Sequence, residues 1–384
     1  MTLFFWLGLI CLLLNLAIAL EVARGIGRMT QLRDVPPLVA GSILPRVSII
    51  VPACNEASTI EPALRSSLAQ DYANLEIIVV NDRSVDATGA VLARLAREYP
   101  TLQVLTITEL PPEWLGKNHA LQSGAERASG DYLLFTDADV ILAPTTISRA
   151  IHRGQANNLD HLAIFFENIG GGGLLNAMFL EVGGGLLLLF KPWLAGDPGS
   201  QRFMGVGAFN LVKAATYRAL GGHHRIAMHP IDDVMLGKLV KLGGFRQECL
   251  LGNGFVAVPW YGTVREFING LMKNTFAAYQ YRLGLVAAGV GAVFLLGVLP
   301  LWGLVLADNP ARLLFGGAIG IRLISFAHGF REGRLNPWFA GWSLLTPYLS
   351  LYISVKAATM TVINGGITWR GTYYQLKKLK EYVI

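Results

Sequence analysis

In the run LLFTDADVIL (133–142), two aspartates, Asp137 and Asp139, sit at the end of an otherwise apolar segment. Side chains two apart in extended backbone point the same way, so both carboxylates can address one hard cation. Mg²⁺ and Mn²⁺ prefer oxygen ligands, and Mg²⁺ commonly completes its shell with waters and substrate phosphates. The chain holds no second dense carboxylate cage. A metal gripped by this pair would be completed by a diphosphate, so a nucleotide-linked substrate is expected. The competing reading is that TDAD merely caps the next helix.

Two more polar clusters follow buried-type runs. VSIIVPA (47–53) leads into Asn55 and Glu56, and LEIIVVND (75–82) ends on Asn81 and Asp82. Continuous apolar runs of this length suit strands covered on both faces. Between them lie helical patterns: STIEPALRSSLAQ, with Ser58 and Glu61 at capping-box spacing, then DATGAVLARLAREY and GKNHALQSGAERAS. LQVLTIT (102–108), DYLLFTDADV (131–140) and HLAIFFEN (161–168) supply further strands. Alternation of this kind predicts an α/β fold with a mainly parallel sheet. Ligands of such sheets sit beyond the carboxyl ends of the strands. Each cluster alone could be a cap or a turn, but three carboxylate-bearing strand ends on one edge point to one site, because buried charge is costly without a partner.

Other chemistries are poorly served. No G-x-x-x-x-G-K-[ST] occurs, and GVGAFN (205–210) lacks the βαβ context of a dinucleotide loop. Cys11, Cys54 and Cys249 are odd in number and far apart, which excludes a disulfide framework. His223 and His224, in GGHHRI, read as a surface turn, and no nucleophilic triad is spaced along the chain.

Only 15% of residues are charged and 53% are hydrophobic, against about 25% charged in an ordinary soluble domain. Part of the chain therefore belongs in lipid, and the net charge of +6 fits a membrane surface better than nucleic acid. Leu3 to Leu20 is apolar apart from Asn15, and Arg24, Arg28, Arg33 and Arg46 follow it. That is an uncleaved anchor with its basic flank in the cytoplasm. Leu283 to Ala307 is a second span. Leu313 to Ala327 is short and holds Arg322, and Trp338 to Ile363 is interrupted by Pro347 and Lys356. The basic tail asks for an even number of C-terminal crossings, so one of the weaker segments is expected to be re-entrant or to lie at the interface.

Taken in order, VSIIVPACNE, EIIVVNDRSVDAT, GKNHALQSGAERASGDYLLFTDAD and HPIDDVMLGKLVKLGG resemble a membrane-bound family 2 glycosyltransferase with the GT-A fold, similar to ceramide glucosyltransferase-like and hopanoid-associated enzymes. The resemblance implies a nucleotide pocket lined by Pro52, Ala53, Asn55 and Glu56, with Asp82 on the base and Lys117 near the phosphates. Asp137 and Asp139 match the D-x-D motif that holds Mg²⁺ or Mn²⁺ and the sugar diphosphate, usually of UDP. Asp233 matches the catalytic base, and Asp232 stands where the family has glutamate. The chemistry agrees: an acceptor hydroxyl needs a base on one side of the sugar and a neutralised leaving group on the other. Direct displacement would invert the anomeric centre. The family's Q-x-x-R-W motif is missing. VREFINGLMKNTFAAY (264–279) stands there instead, and Lys273 is the cation expected to take over a diphosphate contact.

The chain is thus divided into an anchor (1–22), a basic linker (23–46), a cytoplasmic GT-A domain (47–262), an interfacial helix (263–282), a membrane region of two or three spans (283–363) and a basic cytoplasmic tail (364–384). The very apolar stretch 174–194 reads either as a core helix or as a segment resting on the bilayer to admit a lipid. The expected function is transfer of a sugar from a nucleotide-sugar to a membrane lipid by a protein of a bacterial-type inner membrane. The alternatives are a processive polysaccharide synthase and a non-catalytic nucleotide-binding sensor; no oligomeric state is encoded.

Overall fold

Seven strands form the main sheet of the computed structural model, which describes residues 2–38 and 44–382. They are β1 (Val47–Ala53), β2 (Leu75–Asp82), β3 (Leu102–Ile107), β4 (Tyr132–Phe135), β6 (His161–Phe165), β8 (Asn210–Lys213) and β9 (Gln247–Leu251), in spatial order 3-2-1-4-8-6-9. β1 pairs in parallel with β2 and β4, β2 with β3, and β6 with β9; β8 alone runs antiparallel to its neighbours β4 and β6. A smaller sheet joins β5 (Ile141–Leu142), β7 (Glu167–Asn168) and β10 (Val256–Val258). HLAIFFEN is therefore two strands in two sheets rather than one.

The apolar runs behave as their composition requires. Ile49, Ile50, Ile78, Val79 and Val80 are fully buried, because helices cover both faces of the central parallel strands. One buried charge interrupts them. Glu76 on β2 accepts bonds from the Ser48 hydroxyl (2.5 Å), the Ser129 N–H (2.7 Å) and Arg46 (3.0 Å). Burial alone would raise its pKa, but these bonds hold it below the usual carboxylate value. The expected capping box is not used: helix Ile60–Leu68 begins without a side-chain cap, and Glu61 pairs with Arg65 and Arg94.

The chain falls into two compact units. The two sheets above belong to one, built on Met29–Ile169 and Pro192–Trp260; the other takes the chain up to Arg28, Gly170–Lys191 and Tyr261–Lys380, with a short hairpin of Gly366–Trp369 and Thr372–Gln375. Among the described residues, four helical segments are long and apolar enough to cross a membrane: Leu3–Gly27, Gly173–Leu194, Leu283–Leu306 and Asn309–Glu332; apart from Pro192–Leu194 they lie in this second unit. The third contains a π-helical turn at Phe294–Val298. Asn309–Glu332 is longer than its apolar centre suggested, because Arg322 within it is neutralised by Glu181 and also donates to the Ser343 carbonyl (3.0 Å) and the Thr346 hydroxyl (2.9 Å). The last apolar stretch breaks into a 3₁₀ segment, Pro337–Leu344, and helix Thr346–Ile363, which is not among the four.

Leu3–Gly27 packs on Asn309–Glu332 through Gly8, which meets Leu314 and Phe315, and through Cys11 in a cluster with Ala311, Phe315 and Ala318. Thr2 donates to Asp308 at 3.2 Å, so the N-terminus and the turn between the last two spanning-length helices lie at one end of this unit. Leu313, Ile324 and Val305 are about 70% exposed or more, as an apolar face turned to lipid would be.

Helix Gly173–Phe190 carries a topological constraint. β6 and β7 precede it and β8, β9 and β10 follow it, yet β6 pairs with β8 and β9, and β7 with β10. Both ends of the helix must therefore leave on the same side of any bilayer it enters.

Candidate active site

The strand order reverses at β1, which has β2 on one side and β4 on the other. At that switch point the carboxyl ends of parallel strands leave a crevice. β1 ends at Pro52 and Ala53. Beyond it the chain turns at Asn55, in the left-handed region (φ 57°), and binds the loop after β2. Asn55 accepts from Val85 N–H (2.8 Å) and Glu56 N–H donates to Thr88 (2.8 Å). Asp82, at the end of β2, forms a two-pronged pair with Arg83 (2.7 and 2.9 Å). Helix Gly116–Arg127 starts directly over it. A Cβ on Gly116 would come within 2.4 Å of the Asp82 carboxylate, so only glycine permits that approach.

The same helix delivers Lys117. Its neighbour Asn118 is fully buried, with its amide nitrogen 2.8–3.1 Å from the carbonyls of Ile226, Ala227 and His229. This ties the helix to the segment that leads into Asp232–Leu242. Lys117 Nζ lies 2.8 Å from Asp137 Oδ1 and 3.4 Å from Asp232 Oδ1. Burial opposes its charge, but Asp137, Asp232 and Asp233 outweigh that and raise its pKa above the ordinary lysine value.

The strand β8 side closes the cleft. Thr136 donates to the Ala208 carbonyl (2.8 Å), Asp137 N–H to the Gly207 carbonyl (3.1 Å), and Gly207 N–H to Asp233 Oδ2 (2.7 Å). Asn210 reaches the Asp233 carbonyl at 3.3 Å. The two acids at the start of Asp232–Leu242 differ. Asp232 is buried beneath Lys117, whereas Asp233 faces Gly207; burial first raises the Asp233 pKa, against the pull of Lys117. Asp137, Lys117, Asp232, Asp233, Asn210 and His223 line one cavity. Sequence reasoning missed Gly207, Asn210 and His223. The first two fall in GVGAFN, whose glycines were the available signal. His223 is not on a surface turn: it is 1% exposed and walls the cavity, while its neighbour His224 is exposed.

Asp139 is partly buried beside Asp137. Burial, then the charges of Asp137 and Glu56, push its pKa up to about 7. Uncompensated carboxylate charge of this kind fits a divalent cation, and the Lys117 ammonium already stands on Asp137. Among the described residues no group of three His, Cys, Asp or Glu side chains is placed to hold a metal ion by itself, so such an ion would draw its remaining ligands from water or a diphosphate. Lys273 lies in the helical unit, its ammonium 3.9 Å from the Trp369 ring centroid.

A mainly parallel sheet with an acidic cleft at its switch point is the GT-A type of nucleotide-sugar-binding fold. Over 94% of the chain it superposes on 99% of a mannosyltransferase, PcManGT from Pyrobaculum calidifontis in complex with GDP-Man and Mn²⁺, at 20% identity and a TM-score of 0.54. Residues 48–206 match Glycosyl transferase family 2, and this part of the chain is a family 2 glycosyltransferase domain. A probable glycosyltransferase, YdaM of Bacillus subtilis (strain 168), is 39% identical over 98 residues, 25% of this chain and 23% of the relative. The 4,4'-diaponeurosporenoate glycosyltransferase of Staphylococcus aureus (strain USA300) is 29% identical over 224 residues, 56% of each chain. The chain thus spans about half or less of the length of these curated relatives.

Proposed function

We propose that the protein transfers a sugar from a nucleotide-sugar to the hydroxyl of a membrane lipid, with inversion at the anomeric carbon. The observation that carries this is one cavity lined together by Lys117, Asp137, Asp232 and Asp233. Asp137 and Asp139 would hold Mg²⁺ or Mn²⁺, which when bound supplies Lewis-acid neutralisation of the leaving diphosphate. Lys117, rather than Lys273, is the cation assigned to the diphosphate, since it already sits on Asp137. Asp233 accepts the proton of the acceptor hydroxyl: its raised pKa brings it nearer to the operating pH of a base. The Gly207 N–H holds that carboxylate in place, and Asp232, neutralised by Lys117, is a supporting group. Pro52, Ala53, Asn55, Glu56 and Asp82 form the nucleotide side of the cleft.

The lipid acceptor is supported by the spanning-length helices and by Gly173–Phe190. With both ends on one side, that helix lies in or re-enters the bilayer rather than crossing it. Leu3–Gly27, Leu283–Leu306 and Asn309–Glu332 then make three crossings of an inner membrane. The N-terminus and Asp308 fall outside, and the catalytic domain, Arg331, Arg334 and the basic tail fall in the cytoplasm. This arrangement satisfies the charge bias at every loop and the Thr2–Asp308 contact.

The test is to incubate the purified full chain with radiolabelled UDP- and GDP-sugars, Mg²⁺ or Mn²⁺, and native lipid extract. Label should pass into the organic phase and be lost in Asp139→Ala and Asp233→Ala. No transfer from any donor, or transfer undiminished in Asp233→Ala, would overturn the reading.

A further inference from the structure

His223 has no part in the reaction above, yet it is built into the reacting cavity. It sits in the 3₁₀ turn Gly222–Ile226 and is 1% exposed. Its Nδ1 lies 2.6 Å from the Tyr217 hydroxyl, which donates to Gln122 Oε1 at 2.9 Å. The backbone N–H of His223 donates to the same Gln122 oxygen at 2.9 Å. The short contact between Nδ1 and the Tyr217 hydroxyl ties the ring to Tyr217 in either tautomer. Phe135 meets the ring edge-on at 4.9 Å and fixes its plane.

With Nδ1 turned to Tyr217, Nε2 is the ring atom left for the cavity that His223 lines. Burial, then the nearby Lys117 charge, push the imidazole pKa down to about 3, so the ring stays neutral. A neutral ring nitrogen in a cavity that already holds the Lys117 ammonium and three aspartates matches an alcohol, which donates or accepts without adding charge. With Lys117 and Asp137 on the diphosphate and Asp233 on the acceptor proton, the ligand portion that reaches this shared cavity is the sugar in transit.

We infer that His223 Nε2 hydrogen-bonds a hydroxyl of the transferred sugar and so helps to select the donor. This rests on the glycosyl-transfer reading above. Tyr217 is the positioning residue that holds the ring. A site built to bond a hydroxyl rejects partners that cannot supply it, because the buried group is then left unpaired.

Binding to the full chain in detergent, with Mn²⁺, is measured by calorimetry for UDP, GDP, UDP-glucose, UDP-galactose, UDP-N-acetylglucosamine and GDP-mannose. His223→Phe should weaken the preferred sugar nucleotide about tenfold, leaving the bare nucleotide diphosphate within about twofold. His223→Gln, whose amide can make the same bond, should stay within about threefold of the parent for both ligands. It also serves as the test if the phenylalanine variant does not fold. Equal loss for sugar nucleotide and bare nucleotide in either folded variant would make His223 a packing residue. Unchanged sugar-nucleotide affinity in His223→Phe, or a tenfold loss in His223→Gln, would overturn the hydrogen bond. If the unaltered chain binds none of the six, the transferase reading itself fails and takes this inference with it.

Discussion

Gly207→Ala is the sharpest probe of how the two acidic halves of the cleft are held. Gly207 lies outside the left-handed region of the backbone, so alanine introduces no φ strain and the effect is one of contact alone. Its Cβ would stand 2.7 Å from Asp137 Oδ2 and 3.3 Å from Asp233 Oδ2. The first contact falls about 0.7 Å short of the separation at which ordinary van der Waals contact begins. Either Asp137 retreats by that amount, or the loop lifts and stretches the 2.7 Å bond from Gly207 N–H to Asp233. Misplacement on the order of 1 Å can cost about 10²-fold in rate, so a 10- to 100-fold fall in turnover is expected, on the order of 1.4–2.7 kcal/mol of barrier. Gly207 contributes no side-chain burial, so unfolding free energy should change by less than about 1 kcal/mol. The assay is transfer of labelled sugar into the lipid phase, beside thermal unfolding of the same preparations. Gly154→Ala is the control, because a Cβ there meets nothing within 4 Å. Turnover of Gly207→Ala within twofold of the parent would refute the idea that backbone and acids are in register here. So would a loss that tracks the unfolded fraction.

In the helical unit, Arg322→Ala leaves Glu181 without its partner away from water. Breaking a buried pair from one side typically costs about 3–5 kcal/mol. The melting temperature in detergent should fall, and Glu181→Gln with Arg322→Met should recover most of it; equal stability of Arg322→Ala and the parent would make the pair incidental. Stability should also fall in mild acid through His161, which is buried and pushed from 6.5 down to about 4. Above pH 6.5 neither folded nor unfolded chain carries that proton. Between 6.5 and 4 only the unfolded chain binds it, so folding weakens by up to about 3 kcal/mol. Denaturant titration at pH 7 and pH 4.5 measures this, and His161→Gln should flatten that part of the profile. Single cysteines at exposed Ser58, before Gly173–Phe190, and at exposed Asp197, after it, should label from the same side of sealed vesicles. Opposite labelling would mean that the helix crosses.

The sequence alone was enough for the local chemistry and the kinds of element. Asp137 and Asp139 are two residues apart after a strand, and the runs 47–53 and 75–82, apolar apart from Ser48, Glu76, Asn81 and Asp82, read as covered strands. Hydrophobic periodicity and strand-end carboxylates are short-range signals, and they survive in a one-dimensional reading. Long-range pairings leave no such trace. The antiparallel β8 enters between β4 and β6 only after a detour of about 70 residues, and it is what lays Gly207 and Asn210 against Asp137 and Asp233. Lys117 finds Asp137 and Asp232 across two loops. His223 looks polar and exposed in GGHHRI, yet Tyr217 and Gln122 hydrogen-bond it and the fold buries it. Arg322 looks like a defect in a spanning helix until Glu181, far away in the chain, is folded onto it. Each of these depends on a partner whose desolvation cost is cancelled only by contact in three dimensions, so the tertiary structure alone could decide them.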